Sequence, residues 1–377
     1  MVRFIHTADW QLGMTRHFLS EESQARFSEA RIETIRAIGR LAIDEDCVFV
    51  VVGGDVFETN HVERQVIVRA LDAIRATPAV TFYLLPGNHD PLNASSVFRS
   101  ETFVRHAPEN VVVLDGETPV DVANGARIVG APWSSKKPLV DLVNQAIAAA
   151  PEFDGATVVV GHGAVDVLSP DAADPALIRL GDLDAAIMNG QVQYVALGDR
   201  HSTTDVGTTG RVWYSGAPEP TAFTEVDPGN VLVVGIDGGE VTVSTREIAH
   251  WDFRSLEFDL QGIQDIEDLN DALTGIEDKA RTIVRLVLIG QLSLADKSEL
   301  DAALEHHQDL FGSLNTWERH TDLVVLPDDD DFTSLGLSGF ADDALSELVE
   351  LAEGDGQQAA TAMDALGLLY RLAGRAS

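Results

Sequence analysis

At 377 residues, 45% of them apolar, the chain suits a large catalytic domain with a smaller appendage, and no uninterrupted apolar stretch reaches the roughly 18 residues of a membrane span. One cysteine, Cys47, excludes an intrachain disulfide and a cysteine-cluster metal site. A formal net charge of −35 opposes a nucleic-acid partner at long range unless metal ions or local basic groups reverse the field, and the acidic residues are spread too widely to settle the point.

The first residues enter a short apolar strand without the charged start, long apolar region and cleavage site of a signal peptide, so a cytoplasmic location is expected. From residue 2 to about 248, apolar runs alternate with amphipathic segments: a strand at 3–7, a helix at 24–44, a strand at 47–52, a helix at 63–76 and a strand at 80–85. Further strands at 156–160, 194–197, 212–214 and 231–234 have fewer helices between them. This alternation predicts a layered α/β domain over residues 1–249. Strand, helix, strand, helix and strand at 255–260, 265–276, 282–289, 295–311 and 323–326 predict a small α+β domain over 250–327. Residues 328–377 read as an acidic linker and two helical segments, 342–351 and 357–372, able to pack on this chain or on a partner. Cys47 falls in an apolar run and is expected to be a buried structural thiol.

The chemistry is written at the strand ends. The apolar runs stop at Asp9-Trp10-Gln11-Leu12-Gly13, at Gly53-Gly54-Asp55-Val56-Phe57, at Pro86-Gly87-Asn88-His89-Asp90, at Gly161-His162-Gly163 and at Gly198-Asp199-Arg200-His201. Ligands of open α/β sheets bind at the carboxyl ends of strands, so these five clusters are expected to converge at one edge. Asp, Asn and His side chains gathered there are what a binuclear divalent-metal site requires, and two cations suit the hydrolysis of an anionic, unreactive phosphodiester.

In the order and spacing of these motifs the first 220 or so residues resemble the calcineurin-like metallophosphoesterases. The stretches His6-Thr7-Ala8-Asp9-Trp10-Gln11-Leu12-Gly13 and Gly53-Gly54-Asp55-Val56-Phe57, with the later Tyr214-Ser215-Gly216-Ala217-Pro218, are similar to the SbcD-type DNA repair exonucleases. That resemblance implies a layered sandwich of two central β-sheets flanked by helices, with the domain after residue 250 as a cap. It implies Asp9, Gln11, Asp55 and His201 on one metal and Asp55, Asn88, His162 and Asp199 on the second, with Asp55 bridging. His89 would contact the phosphate and protonate the leaving oxygen, and Asp90 would orient it. Gln11 and Asp199 stand where the family has histidines. Both remain oxygen ligands and shift the site towards hard cations, Mn²⁺ first and Mg²⁺ as the alternative.

The implied activity is a Mn²⁺-dependent DNA exonuclease and endonuclease acting at broken ends. Its partners would be DNA and an SbcC-like SMC-type ATPase, in a nucleoid-associated cytoplasmic setting. The competing readings are a phosphodiesterase or phosphatase on a non-DNA substrate, which the acidity favours, and a non-catalytic scaffold of the same complex. The resemblance also implies a homodimer through helices at 63–76 and 93–103, although the stripe Val66, Ile67, Ala70, Leu71 and Ile74 suits a core equally well. The apolar stripe Leu345, Leu348, Val349 and Leu351, continued by Met363, Leu366, Leu369 and Leu372, suits an ATPase surface or packing within the chain. His6 reads as a core histidine, and Trp10 and Trp133 as cleft walls. Glu58 and Arg200 flank candidate ligands. His17, His61 and His106 read as surface or supporting residues. His250, His306, His307 and His320 read as solvated. The lysine pair Lys136-Lys137 reads as a surface pair, with a phosphate contact as the alternative.

Overall fold

The structure, a computed structural model, describes residues 1–171, 173–326 and 340–352, with residues 358, 361, 362 and 365. The acidic run at 327–331 and most of the tail segment 357–372 lie outside the described residues. The chain forms two compact units, Met1–Asp252 and Phe253–Ser377.

The first unit runs β1 (Val2–Thr7), α1 (Glu21–Asp44), β2 (Phe49–Val52), α2 (Arg64–Arg75), β3 (Thr81–Leu84), α3 (Glu101–His106), β4 (Val111–Val113), β5 (Val120–Val122) and β6 (Ala126–Gly130). It continues through α4 (Leu142–Ala149), β7 (Ala156–His162), α5 (Leu180–Met188), β8 (Tyr194–Gly198), β9 (Thr204–Val206), β10 (Val212–Tyr214), β11 (Asn230–Asp237) and β12 (Glu240–Glu247). Two six-stranded sheets result, ordered β12-β11-β1-β2-β3-β4 and β5-β6-β7-β8-β10-β9.

Side-chain parity assigns the layers. Phe4, Phe49, Val51 and Tyr83 of the first sheet share one core with Ile128, Val158, Val160, Tyr194 and Ala196 of the second. The alternate residues Ile5, Val50, Val52, Phe82 and Leu84 face Ile35 and Ile38 of α1 and Ile67, Leu71 and Ile74 of α2. Val129, Val159, Val195 and Leu197 face Val143 and Ile147 of α4 and Leu183 and Ile187 of α5. Strands apolar on both faces are therefore what the sequence must supply, and β1, β2, β3, β7 and β8 do so. Helix α1 starts where Ser20 accepts a hydrogen bond from Ser23 N at 3.1 Å, with Glu21 and Glu22 against the positive end of the helix.

Of the stripe on α2, Ile67, Ala70, Leu71 and Ile74 are buried in the core of the chain itself, as one of its two readings has it, while Val66 is half-buried. Two expectations change. The helix expected at 93–103 is broken, because Ser100 accepts a hydrogen bond from Phe103 N and starts α3 there, leaving only a 3₁₀ turn at Val97–Arg99 before it. Helices α4 and α5 enter a stretch that reads as mostly β.

In the second unit the order is β13 (Asp252–Leu260), α6 (Ile263–Thr274), β14 (Thr282–Ser293), α7 (Leu294–Gln308), β15 (Ser313–Thr316), β16 (Asp322–Leu326) and α8 (Phe340–Ala352). Strand β14 pairs in parallel with β15 along its first half and with β16 along its second. Leu269, Leu273, Val284, Leu286, Leu300 and Phe311 form its core. His307, read as solvated, is buried, with Nε2 3.0 Å from Asn270 Oδ1. On α8, Leu345 is buried while Leu351 is exposed, so the expected stripe is not one uniform face.

Candidate metal centre

The five clusters meet, and both sheets contribute to the meeting place. Neighbouring parallel strands β1, β2 and β3 of the first sheet carry Asp9, Asp55 and the Asn88-His89-Asp90 turn just beyond their ends. Parallel strands β7 and β8 of the second end in His162 and lead into Asp199 and His201. Backbone hydrogen bonds Asp9 N to Gly54 O (3.0 Å) and Gln11 N to Asp55 O (2.9 Å) clip the first two loops together. A Cβ at Gly54 would collide with the His162 ring, and one at Gly87 with Asp55 Oδ1, so glycine at these positions lets the sheets and loops approach.

Asp9, Asp55 and His162, all buried, each bring one donor atom to within 4.8 Å of the other two. Asp199 N points at both oxygens of Asp9, at 3.1 Å each. The ring of His162 donates through Nδ1 to Gly53 O at 2.8 Å, which turns Nε2 towards Asn88 Oδ1 (2.6 Å), Asp55 Oδ1 (3.5 Å) and Asp199 Oδ1 (3.8 Å). On the other side His201 Nε2 lies 3.1 Å from the Gln11 amide nitrogen. The sequence-derived set Asp9, Gln11, Asp55, Asn88, His162, Asp199 and His201 is thus gathered in one place.

Electrostatics of the bare cluster are unfavourable. Burial, then the charges of Asp55 and Asp199, push Asp9 up to about 7 against the pull of His201 and His162. At His162 burial acts downwards, but Asp55, Asp9 and Asp199 outweigh it and raise the imidazole to about 9. A nest of carboxylates that holds protons this tightly is a nest that would accept cations. Two further observations fit divalent ions. Gln11 Oε1 is buried with no hydrogen-bond partner, an oxygen whose desolvation nothing compensates. His162 Nε2, which carries a proton in the metal-free protein, donates to Asn88 Oδ1 at 2.6 Å, so a cation that displaces this proton meets a nitrogen and an oxygen ligand already side by side. Five oxygen-bearing and two imidazole side chains fit a pair of hard or borderline cations.

Several neighbours act differently from their sequence reading. Asp90, expected to orient His89, is fully buried and spends its two oxygens on backbone N–H groups, Gly87 N at 2.7 Å and Phe57 N at 2.9 Å. It therefore ties the third loop to the second. The His89 ring is held by Glu58, whose carbonyl accepts from Nδ1 at 3.0 Å, and His89 Nε2 stands 4.0 Å from Asp55 Oδ2. Trp10 is core, 2% exposed and donating to Thr7 Oγ1, because its side chain turns away from the cleft onto Phe82. Trp133 does stand at the site, its Nε1 donating to His162 O at 2.7 Å. His6 bonds Tyr194 OH and Leu197 O across the two sheets, as a core histidine should. Lys136 and Lys137 are exposed.

The segment after β10 carries residues that the sequence reading passed over. His201 Nδ1 lies 2.7 Å from Thr221 Oγ1 and 2.9 Å from Glu225 Oε1. Arg16 reaches Thr221 O, and the buried Arg31 reaches Pro220 O at 3.1 Å and Trp10 O at 3.0 Å. Buried Glu219 accepts from Thr34 Oγ1 and from His250, whose Nδ1 is 2.8 Å away, so His250 is an anchored residue and not a solvated one. The sequence signal adjoining them was the Tyr214 to Pro218 motif, which stops one residue short of Glu219.

Among known proteins, an SbcCD nuclease subunit of Rhodobacter capsulatus is 25% identical over 282 residues, 63% of this chain and 67% of that protein. A solved protein of Thermus thermophilus superposes with a TM-score of 0.40 at 9% identity, covering 64% of this chain and 98% of its own. A dimetal phosphatase from Danio rerio gives 0.40 at 14% identity, with 65% and 96% covered. The calcineurin-like phosphoesterase family matches residues 2–203, more than half of the chain and all five strand-end clusters, and the chain belongs to that family.

Proposed function

We propose that this chain is a metal-dependent DNA nuclease that hydrolyses phosphodiester bonds at DNA ends as an exonuclease and endonuclease, in concert with an SbcC-like SMC-type ATPase. The observation that carries the phosphodiester chemistry is the convergence of seven donor side chains around the buried Asp9, Asp55 and His162. Similarity to an SbcCD nuclease subunit supports DNA as the substrate and the ATPase as the partner. Asp9, Gln11, Asp55 and His201 would hold one cation, and Asp55, Asn88, His162 and Asp199 the other. Mn²⁺ suits the oxygen-rich set, with Mg²⁺ as the alternative. When bound, the two cations would neutralise the phosphodiester and supply a nucleophile at neutral pH.

The chain's own residues then do four things. Asp55 stays ordered because His89 N donates to its Oδ1 at 2.9 Å. His162 presents Nε2 because Gly53 O engages Nδ1. His89, half-exposed and fixed through Nδ1, has Nε2 as the nitrogen that takes up a proton and delivers it to the leaving oxygen, a step worth roughly 10²–10⁴-fold. Asp90 holds the turn that carries His89.

The net charge of −35 favours a second reading, a phosphodiesterase or phosphatase on a smaller substrate. The test is Mn²⁺-dependent cleavage of end-labelled duplex and single-stranded DNA, with His89→Ala and Asp55→Ala as controls and bis-p-nitrophenyl phosphate alongside. DNA cleavage that both substitutions abolish supports the nuclease. Turnover of the small diester without DNA cleavage, even with the ATPase partner added, supports the second reading.

A further inference from the structure

The side of the centre formed by Gln11 and His201 poses a chemical problem. An amide oxygen is a weaker donor than the imidazole it replaces, so His201 must do more. For His201 to donate through Nε2, its ring proton must sit on Nδ1, and an isolated imidazole has no strong reason to keep it there.

The segment after β10 supplies that reason. Glu225 Oε1 lies 2.9 Å from His201 Nδ1, and Glu225 Oε2 accepts from Thr221 N at 2.9 Å. The Thr221 hydroxyl donates to Glu225 Oε1, so its lone pairs are what face His201 Nδ1 at 2.7 Å. Two acceptors on Nδ1 require it to be N–H. The Glu225 side chain is only 6% exposed, which strengthens the contact. The segment cannot easily drift, because Arg16 Nε bonds Thr221 O at 3.1 Å, Arg31 bonds Pro220 O, and Val226 N bonds Ser202 Oγ at 2.9 Å.

We propose that Glu225, with Thr221, is a positioning residue that locks His201 in the Nδ1–H tautomer and thereby sets the divalent-cation affinity of the Gln11/His201 side of the centre. The inference rests on the reading of His201 as a ligand. The carboxylate makes the imidazole a better donor and offsets the weaker amide of Gln11, as carboxylates behind histidine ligands do in general.

The experiment has two arms on the full chain. Long-range ¹H–¹⁵N NMR of the chelated wild-type protein, followed to alkaline pH until the ring is neutral, is expected to report the Nδ1–H tautomer at His201, assigned by loss of the signal in His201→Ala. Calorimetric titration with Mn²⁺ is expected to resolve two events in the wild type, with one weakened roughly 10- to 100-fold in Glu225→Leu. Glu225→Gln, which keeps an acceptor, should be intermediate. An Nε2–H tautomer in the wild type overturns the proposal without any variant having to fold. So do unchanged affinities in a folded Glu225→Leu or Glu225→Gln protein. Two Mn²⁺ events that survive in His201→Ala overturn the ligand reading and the proposal with it.

Discussion

Asp9, Gln11, Asp55 and Asp199 hold backbone φ angles of 54°, 44°, 51° and 97°, four of the seven non-glycine residues with positive φ among the described residues. Each such residue costs on the order of 1–3 kcal/mol and persists only where its surroundings over-determine it. The strain is concentrated where side chains must be turned inward, and it is offset by packing elsewhere. Their protons carry a prediction. In the metal-free protein, His162, raised to about 9, is largely protonated at neutral pH, and Asp9, raised to about 7, is protonated in about half of the molecules. A cation must displace those protons, so Mn²⁺ binding should release protons near pH 7, and affinity should rise with pH until the displaced groups are already ionised. Calorimetry in buffers of different ionisation enthalpy measures this; proton uptake, or affinity falling with pH, contradicts it. The candidate ligand residues were legible in the sequence because each follows the end of an apolar strand. The role of Asp90, and Glu225 altogether, were not, since the backbone N–H groups of Phe57 and Gly87 and the ring of His201 become their partners only through the tertiary fold.

At the level of elements, the two sheets are joined by a shared apolar layer in which His6 is the polar exception. Its Nε2 donates to Leu197 O at 3.1 Å and its Nδ1 accepts from Tyr194 OH at 3.0 Å, a pairing that the neutral ring satisfies and the cation does not. Burial lowers His6 to about 3, from an ordinary value of 6.5. With the folded pKa below the unfolded one, the unfolded chain binds more protons between those limits. The His6 contribution is therefore complete above about pH 6.5 and is lost as pH falls towards 3, by roughly 1.4 kcal/mol per pH unit. Denaturant unfolding of the chelated protein at pH 7 and pH 5 should show this loss, and His6→Gln should flatten it; an identical slope in the variant sinks the assignment. Strands β1, β2, β7 and β8 were readable as continuous apolar runs. The three-residue strands β4 and β5 were not, because so short a run has no period to detect, and α4 and α5 were hidden by apolar composition on more than one face.

For the molecule as a whole, the charge of −35 sets how it meets an anionic substrate. A basic nuclease binds DNA less tightly as salt rises; here long-range repulsion is what salt screens. Raising KCl from about 20 to about 150 mM at fixed Mn²⁺ should increase kcat/KM on duplex DNA, given a Debye length of about 10 Å at 0.1 M. A decrease would point to a local basic surface, for which Lys136-Lys137 is the first candidate. The second unit, built around β14, has its own core, and no helix among the described residues is long and apolar enough to cross a membrane. The claim on which the rest depends is that seven side chains from two sheets form one two-metal centre. Diffraction at the manganese edge from crystals grown with Mn²⁺ tests it most directly. Two anomalous peaks roughly 3.5–4 Å apart, both within ligand distance of Asp55, are predicted. A single peak, or none among Asp9, Asp55 and His162, would contradict it.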